Sequence, residues 1–382
     1  MKKVQNWILI LLFVGVIFGF TGWTLVSGKK DFSERENRAL AQMPSPSFKT
    51  VFDGSFEKDY ENYLSDQFVE RDTWIGLKTD TERALGKQEI NGVYFAEDGY
   101  LIEAHEGSFT SSQASANITL LQSFLEKYQE QFSGNHLSVM IVPNAVDILD
   151  YKLPFYAPDA GEEEYLSKIK EIVPEGAWFD AGKVLRRHPD QQMFYKTDHH
   201  WTTLGAYYVY QAWAKSRGLS PLSLSAYTRD AMTTAFRGTI ESKVGGKTDA
   251  DAIERFVPEE ESQNYAYQLI YNQGSETSDD LYHTEVLNTK DKYAVFFGGN
   301  QPVIQAKVKN SSSRKLLIIK DSYANCFAPF AFHEFSKVDM VDIRYFNSSL
   351  EEFIQNGDYT DLLFLYNASG FAEDTSLMKL LN

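Results

Sequence analysis

Amphipathic stretches and short, continuous apolar runs alternate along most of the chain. Residues 116–132 place Ile118, Leu121, Leu125 and Tyr128 on one helical face, and the apolar run "HLSVMIVPN" follows directly. Further apolar runs, most of them followed by a helix-compatible stretch, are "AWFD", "KLLIIK", "KVDMVDIRYF" and "DLLFLYN". This alternation predicts an α/β domain with a mainly parallel sheet flanked by helices, from about residue 115 to the end.

The N-terminus has a different pattern, because residues 4–28 carry no charge. A helix needs about 20 apolar residues to cross a bilayer, so we predict a membrane-directing segment over residues 1–30. Its apolar part is long for a signal peptide, whose hydrophobic region has about 7 to 15 residues, and this favours a retained anchor over a cleaved signal. Lys2 and Lys3 suit a cytoplasmic end, which predicts that the main domain lies outside the cytoplasm.

The pattern after the anchor predicts the remaining domain boundaries. Residues 31–90 combine charges and prolines with roughly helical spacing, which indicates a membrane-proximal linker and a helical segment. The stretch "GVYFAEDGYLIE" predicts a hairpin around Asp98 and Gly99. We assign residues 91–382 to the α/β domain, with a polar insertion at about residues 219–292.

Composition narrows the classes of partner. The chain has 382 residues, of which 43% are hydrophobic, so it can bury a large core. A formal net charge of −16 disfavours a nucleic-acid partner, because phosphate backbones require basic surfaces. The single cysteine, Cys326, excludes an internal disulfide and a cysteine-rich zinc site.

Ser322 is the first candidate for chemistry. The apolar run "KLLIIK" ends abruptly at Asp321 and Ser322 and passes into a helix-compatible stretch. At a strand-to-helix turn a serine hydroxyl projects from the edge of the sheet, where the free amides of the following helix can stabilise an oxyanion. The alternative is that Asp321 or Ser322 only caps the helix, which is the commonest role of these residues at such a position.

A serine nucleophile needs a base, and the stretch "TDHHW" supplies one. Neighbouring side chains of an extended segment point to opposite faces, so Asp198 and His200 would share a face while His199 points away. This spacing favours Asp198 with His200 as the orienting acid and the base for Ser322. His199 would then be a structural histidine, packed against Tyr195 or Trp201.

A metal site is the competing interpretation of the same residues. Asp198 and the two histidines could donate ligands, but a zinc site needs a third and a fourth ligand of suitable spacing. The other histidines show no paired spacing: His105, His136, His188, His283 and His333. We therefore predict no metal and no other cofactor.

Several residues could bind an oxyanion or a substrate. Gly299 and Asn300 in "FFGGNQP" could donate hydrogen bonds together with the amide of Tyr323, although an ordinary Gly-Asn turn explains them equally well. Asn144 and Asn367 also follow apolar runs and could replace Asn300. Further candidates are Arg344, which would hold a polar substrate or pair with a carboxylate, and the aromatic residues Tyr195 and Trp201, which with Tyr323 could offer faces to a sugar ring.

The chain resembles a family of Gram-positive bacteria that is named for its DHHW motif. The resemblance depends on "TDHHW" and "IIKDSY", together with "FSERENRAL", "YLSDQFVERD" and "VYFAEDGYLIE". That family is similar to the SGNH-hydrolase-like proteins that include the alginate O-acetylation proteins. In those relatives an Asp-x-His pair upstream of a serine forms the triad, and the resemblance therefore implies Asp198, His200 and Ser322.

The resemblance implies an extracytoplasmic, membrane-tethered O-acetyltransferase or acetylesterase that acts on a surface polysaccharide. It also implies that a multi-pass membrane acyltransferase supplies the acetyl group. Two other classes stay open at this point. One is a non-catalytic protein for glycan binding or export assembly on an SGNH-like scaffold, and the other is a metal-dependent hydrolase.

Overall fold

The computed structural model describes residues 2–33, 38–246, 248–259 and 266–382. The chain forms two compact units: Met1–Lys87 with Ser242–Lys247, and Gln88–Glu241 with Thr248–Asn382.

The first unit is mainly helical. Its elements are α1 (Lys2–Val26), β1 (Phe32–Ser33), β2 (Arg38–Ala39), α2 (Phe48–Phe52), α3 (Ser55–Asp66) and α4 (Arg71–Ala84). Within the described ranges, one helix is long and apolar enough to cross a membrane, over Val4–Val26 of α1. Helix α2 begins at Phe48 because the hydroxyl of Ser47 accepts a hydrogen bond from the amide of Thr50. Residues 34–37, in the stretch "FSERENRAL", lie outside the described residues.

The second unit is built on a seven-stranded sheet, as far as the described residues show, with the strand order β10, β9, β11, β13, β12, β14, β6. The strands of this unit are β3 (Glu89–Ile90), β4 (Val93–Phe95), β5 (Leu101–Glu103), β6 (Leu137–Val142), β7 (Tyr227–Phe236), β8 (Asp251–Pro258), β9 (Ala266–Tyr271), β10 (Glu276–Ser278), β11 (Val303–Lys309), β12 (Lys315–Lys320), β13 (Lys337–Val341) and β14 (Asp361–Asn367).

The sheet is mixed. Strands β13, β12, β14 and β6 run parallel, whereas β11, β9 and β10 extend the sheet with antiparallel pairs. The α/β class is therefore as predicted. The predicted parallel arrangement is found in the half of the sheet that contains β12, and the other half is antiparallel. Outside this sheet, β4 and β5 form the predicted hairpin, with Asp98 and Gly99 in left-handed conformations at the turn.

Helices cover both faces of the parallel strands, which explains why these strands are continuous apolar runs. The helices that follow α4 in the chain are α5 (Ser112–Tyr128), α6 (Ala145–Ile148), α7 (Glu162–Ile172), α8 (Ala181–Leu185), α9 (Thr203–Ser216), α10 (Thr239–Val244), α11 (Ala324–Phe327), α12 (Leu350–Gly357) and α13 (Ala368–Glu373), and residues of α5 and α9 are among those that pack on the sheet. Along β12, Leu316 and Ile318 pack in one core with residues of α9, and Leu317 and Ile319 pack in a second core with residues of α5. Burial of each such side chain contributes about 1.5–3 kcal/mol.

The polar insertion does not form a separate domain. Strands β9 and β10 join the edge of the main sheet, and β7 pairs with β8 outside that sheet. The start of α10, near Thr239, and the start of β8, at Asp251, lie beside the segment that contains Asp198. The insertion therefore contributes directly to the candidate site.

Candidate active site

Ser322 lies in the turn between β12 and the short helix α11. The hydroxyl of Ser322 is hydrogen-bonded to Nε2 of His200 at 2.7 Å, so it does not cap the helix. Asp321 does not cap the helix either: the N-cap residue of α11 is Tyr323, without a side-chain capping bond, and Oδ1 of Asp321 accepts a hydrogen bond from the amide of Tyr323 within the turn at 2.8 Å. Helix α11, in the stretch predicted to be helix-compatible, has four residues.

Asp198 and His200 complete a hydrogen-bonded chain that ends at Ser322. Nδ1 of His200 lies 2.5 Å from Oδ1 of Asp198. Oδ2 of Asp198 accepts from the amide of Thr239 at 2.8 Å and from the Thr239 hydroxyl at 3.1 Å. Because Asp198 holds Nδ1, the neutral ring presents Nε2 to the serine hydroxyl as an acceptor. The three side chains that the sequence pattern pairs are therefore in hydrogen-bond contact.

Electrostatics favours an ionised carboxylate beneath His200. Burial opposes ionisation of Asp198, but His199, His200 and the hydrogen bonds from His200 and Thr239 outweigh it and hold the pKa of Asp198 well below its ordinary value. An acid in this state orients the imidazole and stabilises its protonated form.

His199 does not point away from His200, in contrast to the expectation from strict alternation. Residues 196–200 form a bend and not a strand, so the two imidazole rings lie side by side with their centroids 3.9 Å apart. Nδ1 of His199 contacts the Thr239 hydroxyl at 2.9 Å. Burial, and then the charge of His200, lowers the pKa of His199 to about 4, which favours a neutral ring at physiological pH.

The metal alternative can be compared with this geometry. One ligand atom from each of Asp198, His199 and His200 lies within 4.8 Å of the others. Both nitrogens of His200 are already hydrogen-bonded, to Asp198 and to Ser322, and a metal on either one would displace that partner. Among the described residues, this group of potential ligands contains no fourth member.

Three residues that the sequence did not predict hold His200, or the segment that carries it, in place. The ring of Tyr293 stacks on the ring of His200, with the centroids 3.7 Å apart. Thr239 holds Asp198, and Asp251 accepts hydrogen bonds from the amides of Lys196 and Thr197, both at 2.9 Å. All three come from the insertion or its margin, where no motif or periodicity singled them out.

The predicted aromatic residues do not offer faces to a sugar. Trp201 and Tyr323 are fully buried, and Tyr195 is 1% exposed. The indole of Trp201 donates to the carbonyl of Tyr323 at 2.9 Å, and the phenol of Tyr323 donates to the carbonyl of His199. These rings pack beneath the triad and fix the positions of the two loops that carry it.

Two of the predicted oxyanion donors, the amides of Tyr323 and Gly299, have other partners in this structure, and the Gly299 amide donates to the carbonyl of Phe296 at 3.1 Å. The amide of Tyr323 donates to Asp321, so this amide must leave that acceptor before it can bind an oxyanion. Gly299 belongs to a left-handed run with φ angles of 59° at Phe297, 71° at Gly298 and 90° at Gly299, as a glycine turn requires. Oδ1 of Asn300 accepts from Nδ2 of Asn325 at 3.2 Å and from the buried Lys320 ammonium at 3.4 Å.

Asn144 and Asn367 lie at the carboxyl ends of β6 and β14. Oδ1 of Asn367 accepts from Asn144 Nδ2 at 3.3 Å, from the Ser369 hydroxyl at 2.9 Å and from the Gly370 amide at 2.8 Å. The NH₂ group of Asn367 therefore faces the other way and donates to Oδ2 of Asp321 at 2.6 Å. An amide nitrogen carries two hydrogens, so Asn367 has a second one to donate beside the Ser322 turn.

Arg344 pairs with a carboxylate, which is the structural role that we considered for it. Its guanidinium makes two hydrogen bonds to Asp342, at 2.8 and 2.6 Å. The pKa of Asp321 is raised by burial, and the charge of Arg344 opposes this rise. Arg344 is therefore close enough to act on the nucleophile turn electrostatically.

The sequence model of the DHHW protein family matches residues 163–341, which include Asp198, His200 and Ser322. This segment is similar to the DHHW family. The resemblance drawn from the motifs is thereby confirmed. A crystal structure of a DHHW family protein from Eubacterium siraeum matches with 23% identity and a TM-score of 0.64, over 77% of this chain and 96% of that chain.

Two further comparisons add to the assignment. The structure of Bacillus cereus PatB1 matches with 20% identity and a TM-score of 0.60, over 72% of this chain and 96% of that one. These structures share the α/β fold of this chain. The probable alginate O-acetylase AlgJ of Azotobacter vinelandii is 24% identical over 246 residues, or 61% of this chain. The chain spans 58% of the length of that relative.

Proposed function

We propose that this protein is an extracytoplasmic serine O-acetyltransferase, or acetylesterase, that acts on a polysaccharide through Ser322, His200 and Asp198. The observation that carries the proposal is the continuous hydrogen-bonded chain from Asp198 through His200 to Ser322, with distances of 2.5 and 2.7 Å. The similarity to a probable alginate O-acetylase supports acetyl as the transferred group and a polysaccharide as the substrate.

In the proposed first step, His200 Nε2 takes the proton of Ser322 while Oγ bonds to the acetyl carbon of an ester donor. The carbonyl oxygen becomes an oxyanion, which then collapses and expels the donor alcohol, and His200 returns its proton to that alcohol. A sugar hydroxyl, or water in an esterase, then repeats the sequence on the acyl-enzyme. Asp198 keeps the imidazole oriented and stabilises its positive charge in both steps.

We infer that the second amide hydrogen of Asn367 stabilises the oxyanion. The three donors to its oxygen fix the orientation of the amide, so its NH₂ group already faces the nucleophile turn. Asn300 and the amide of Tyr323 are the alternatives that the sequence offers. Of these, the Tyr323 amide must first break its hydrogen bond to Asp321.

We further infer that α1 anchors the protein in a membrane with the catalytic unit outside the cytoplasm, as Lys2 and Lys3 and the apolar span suggest. An acetyl donor made in the cytoplasm would have to be passed across the bilayer, and a multi-pass membrane acyltransferase would fill that role.

The test is the intact mass of the full chain, purified in detergent, after brief exposure to an activated acetyl ester. We expect an acetyl adduct on Ser322, or turnover of the ester, and neither with Ser322→Ala. Ser348→Ala, a change at another serine beyond the triad, is the matched control and should behave as the wild type. A folded wild-type protein that gives neither adduct nor turnover would refute the acyl mechanism and favour a glycan-binding protein.

A further inference from the structure

A short aromatic segment packs beside the C-terminal part of α1. The ring centroid of Phe20 lies 6.1 Å from that of Phe68 and 5.4 Å from that of Trp74. The amide of Val69 donates to the hydroxyl of Thr24 at 3.5 Å. Residues 68–74, at the start of α4, are therefore alongside residues 20–24 of α1 and not beyond its end.

The position of Phe20 along α1 fixes the depth of these rings. An α-helix rises 1.5 Å per residue, so Phe20 is about 9 Å from the end of the span at Val26. The span of 23 residues is about 35 Å long, and the hydrocarbon core is about 30 Å thick. The helix is thus about 5 Å longer than the hydrocarbon layer is thick. Even if all of this extra length projects beyond the layer at the Val26 end, Phe20 remains about 4 Å below the surface of the hydrocarbon layer. A ring that contacts Phe20 is then at the membrane interface.

The surface of this segment suits that position. Phe68 is 40% exposed, Trp74 is 42% exposed and Leu77, one turn further along α4, is 55% exposed. Tryptophan is favoured at bilayer interfaces, because its ring is apolar and its N–H is polar. Arg71, between the two aromatic residues, lies 3.8 Å from Asp66 and 3.7 Å from Asp72. Such charges stay at the level of the headgroups, so the segment enters the interface and not the hydrocarbon centre.

We propose that Phe68, Trp74 and Leu77 insert into the interfacial layer of the extracytoplasmic leaflet and bind phospholipid. The protein then contacts the bilayer at a second point beside α1. This inference rests on the proposed membrane-spanning role of α1. It does not depend on acyl chemistry at Ser322, which is measured separately in detergent.

The test uses the full chain in phosphatidylcholine liposomes with a nitroxide on an introduced cysteine, Phe68→Cys or Trp74→Cys. The accessibility of the nitroxide to oxygen, relative to a water-soluble nickel chelate, reports its depth. Two variants calibrate the scale: Leu12→Cys within α1, and Tyr156→Cys, where the native side chain is 86% exposed in the second unit. Cys326 is buried, so the parent protein serves as the check for background labelling.

We expect oxygen accessibility at positions 68 and 74 to lie between the values at positions 12 and 156. The proposal would be overturned if the oxygen accessibility at positions 68 and 74 equalled that at position 156 while position 12 lay deep in the bilayer. This face would then be available to a protein partner. An aqueous value at position 12 would refute the spanning role of α1 and the proposal with it.

Discussion

The two sides of Ser322 are built in different ways. On the histidine side, Asp198 and His200 lie in a bend that is held by residues distant in sequence, including Thr239 and Asp251. On the sheet side, Asp321 and Asn367 lie at the ends of adjacent parallel strands. The sheet side is positioned by strand register, whereas the histidine side depends on hydrogen bonds from an insertion. The base is therefore the part of the site that is more sensitive to loop changes.

The largest expected effect separates the two adjacent histidines. His200→Ala should lower the rate of acyl transfer by about 10²–10⁴-fold, because it removes the group that accepts the Ser322 proton. His199→Ala should lower the rate by less than about tenfold, because Ser322 is hydrogen-bonded to His200, whereas His199 packs against the ring of His200 and contacts Thr239. The measurement is the rate of ester turnover by both folded variants. The reverse ranking would mean that His199 is the base.

On the sheet side, Asn367→Ala should lower kcat by about 10²–10³-fold, which is the usual cost of losing an oxyanion donor. Asn300→Ala is the matched comparison and should change kcat much less, because the side chain of Asn300 contacts Lys320 and Asn325, whereas the NH₂ group of Asn367 contacts Asp321 beside Ser322. Chemical denaturation of both variants separates lost stability from lost catalysis. A larger loss of kcat in the Asn300 variant would move the oxyanion site to the Gly299 turn.

Gly238→Ala should disturb the histidine side alone. A Cβ atom at Gly238 would lie 2.2 Å from Cβ and from Oδ2 of Asp198, so the carboxylate must move. A displacement of about 1 Å in a catalytic group can cost about 100-fold in rate. Gly28→Ala is the control, because no atom outside its immediate neighbours lies within 4 Å of a Cβ built there. Equal turnover by the two variants would show that the position of Asp198 is not critical.

The smallest effect concerns stability beneath the sheet side, at Glu162. Burial and the charge of Asp147 raise the pKa of Glu162 well above its ordinary value, although its Oε1 accepts from the Asn144 amide at 2.6 Å. The folded protein therefore retains a proton that the unfolded chain loses above about pH 4.5. Stability from this group is lost as the pH rises towards neutrality.

Glu162→Gln should remove that loss, because an amide does not titrate. The free energy of unfolding should fall less between pH 5 and pH 8 in the variant than in the wild type. The measurement is denaturant unfolding at several pH values, with Glu163→Gln as the neighbouring control. Parallel pH profiles for the wild type and Glu162→Gln would contradict a protonated Glu162.

Much of the sheet side could be predicted from the sequence. Continuous apolar runs identify β6, β12, β13 and β14, because strands buried on both faces need apolar residues at every position. The same logic locates Ser322 and Asn367 at strand ends. The Asp-x-His spacing pairs Asp198 with His200, and the two side chains are in hydrogen-bond contact, although the segment that carries them bends and is not extended.

The rest depends on tertiary contacts that leave no periodic signal. Thr239, Asp251 and Tyr293 reach the site across the insertion, and their residue types are common in loops. The burial of Tyr195, Trp201 and Tyr323 could not be separated from a substrate-facing role, because an aromatic side chain suits both environments. The antiparallel strands β9 and β10 come from a polar region without a clear alternating pattern.

The burial of Ser322 bears on whether an acyl group on its oxygen is transferred to a sugar or released by water. The residue is only 9% exposed, so little of its surface is open to solvent. In the proposed reaction, burial would limit the access of water to an ester on Ser322, and the lifetime of that ester in the absence of a sugar would set the partition between glycan acetylation and release of free acetate.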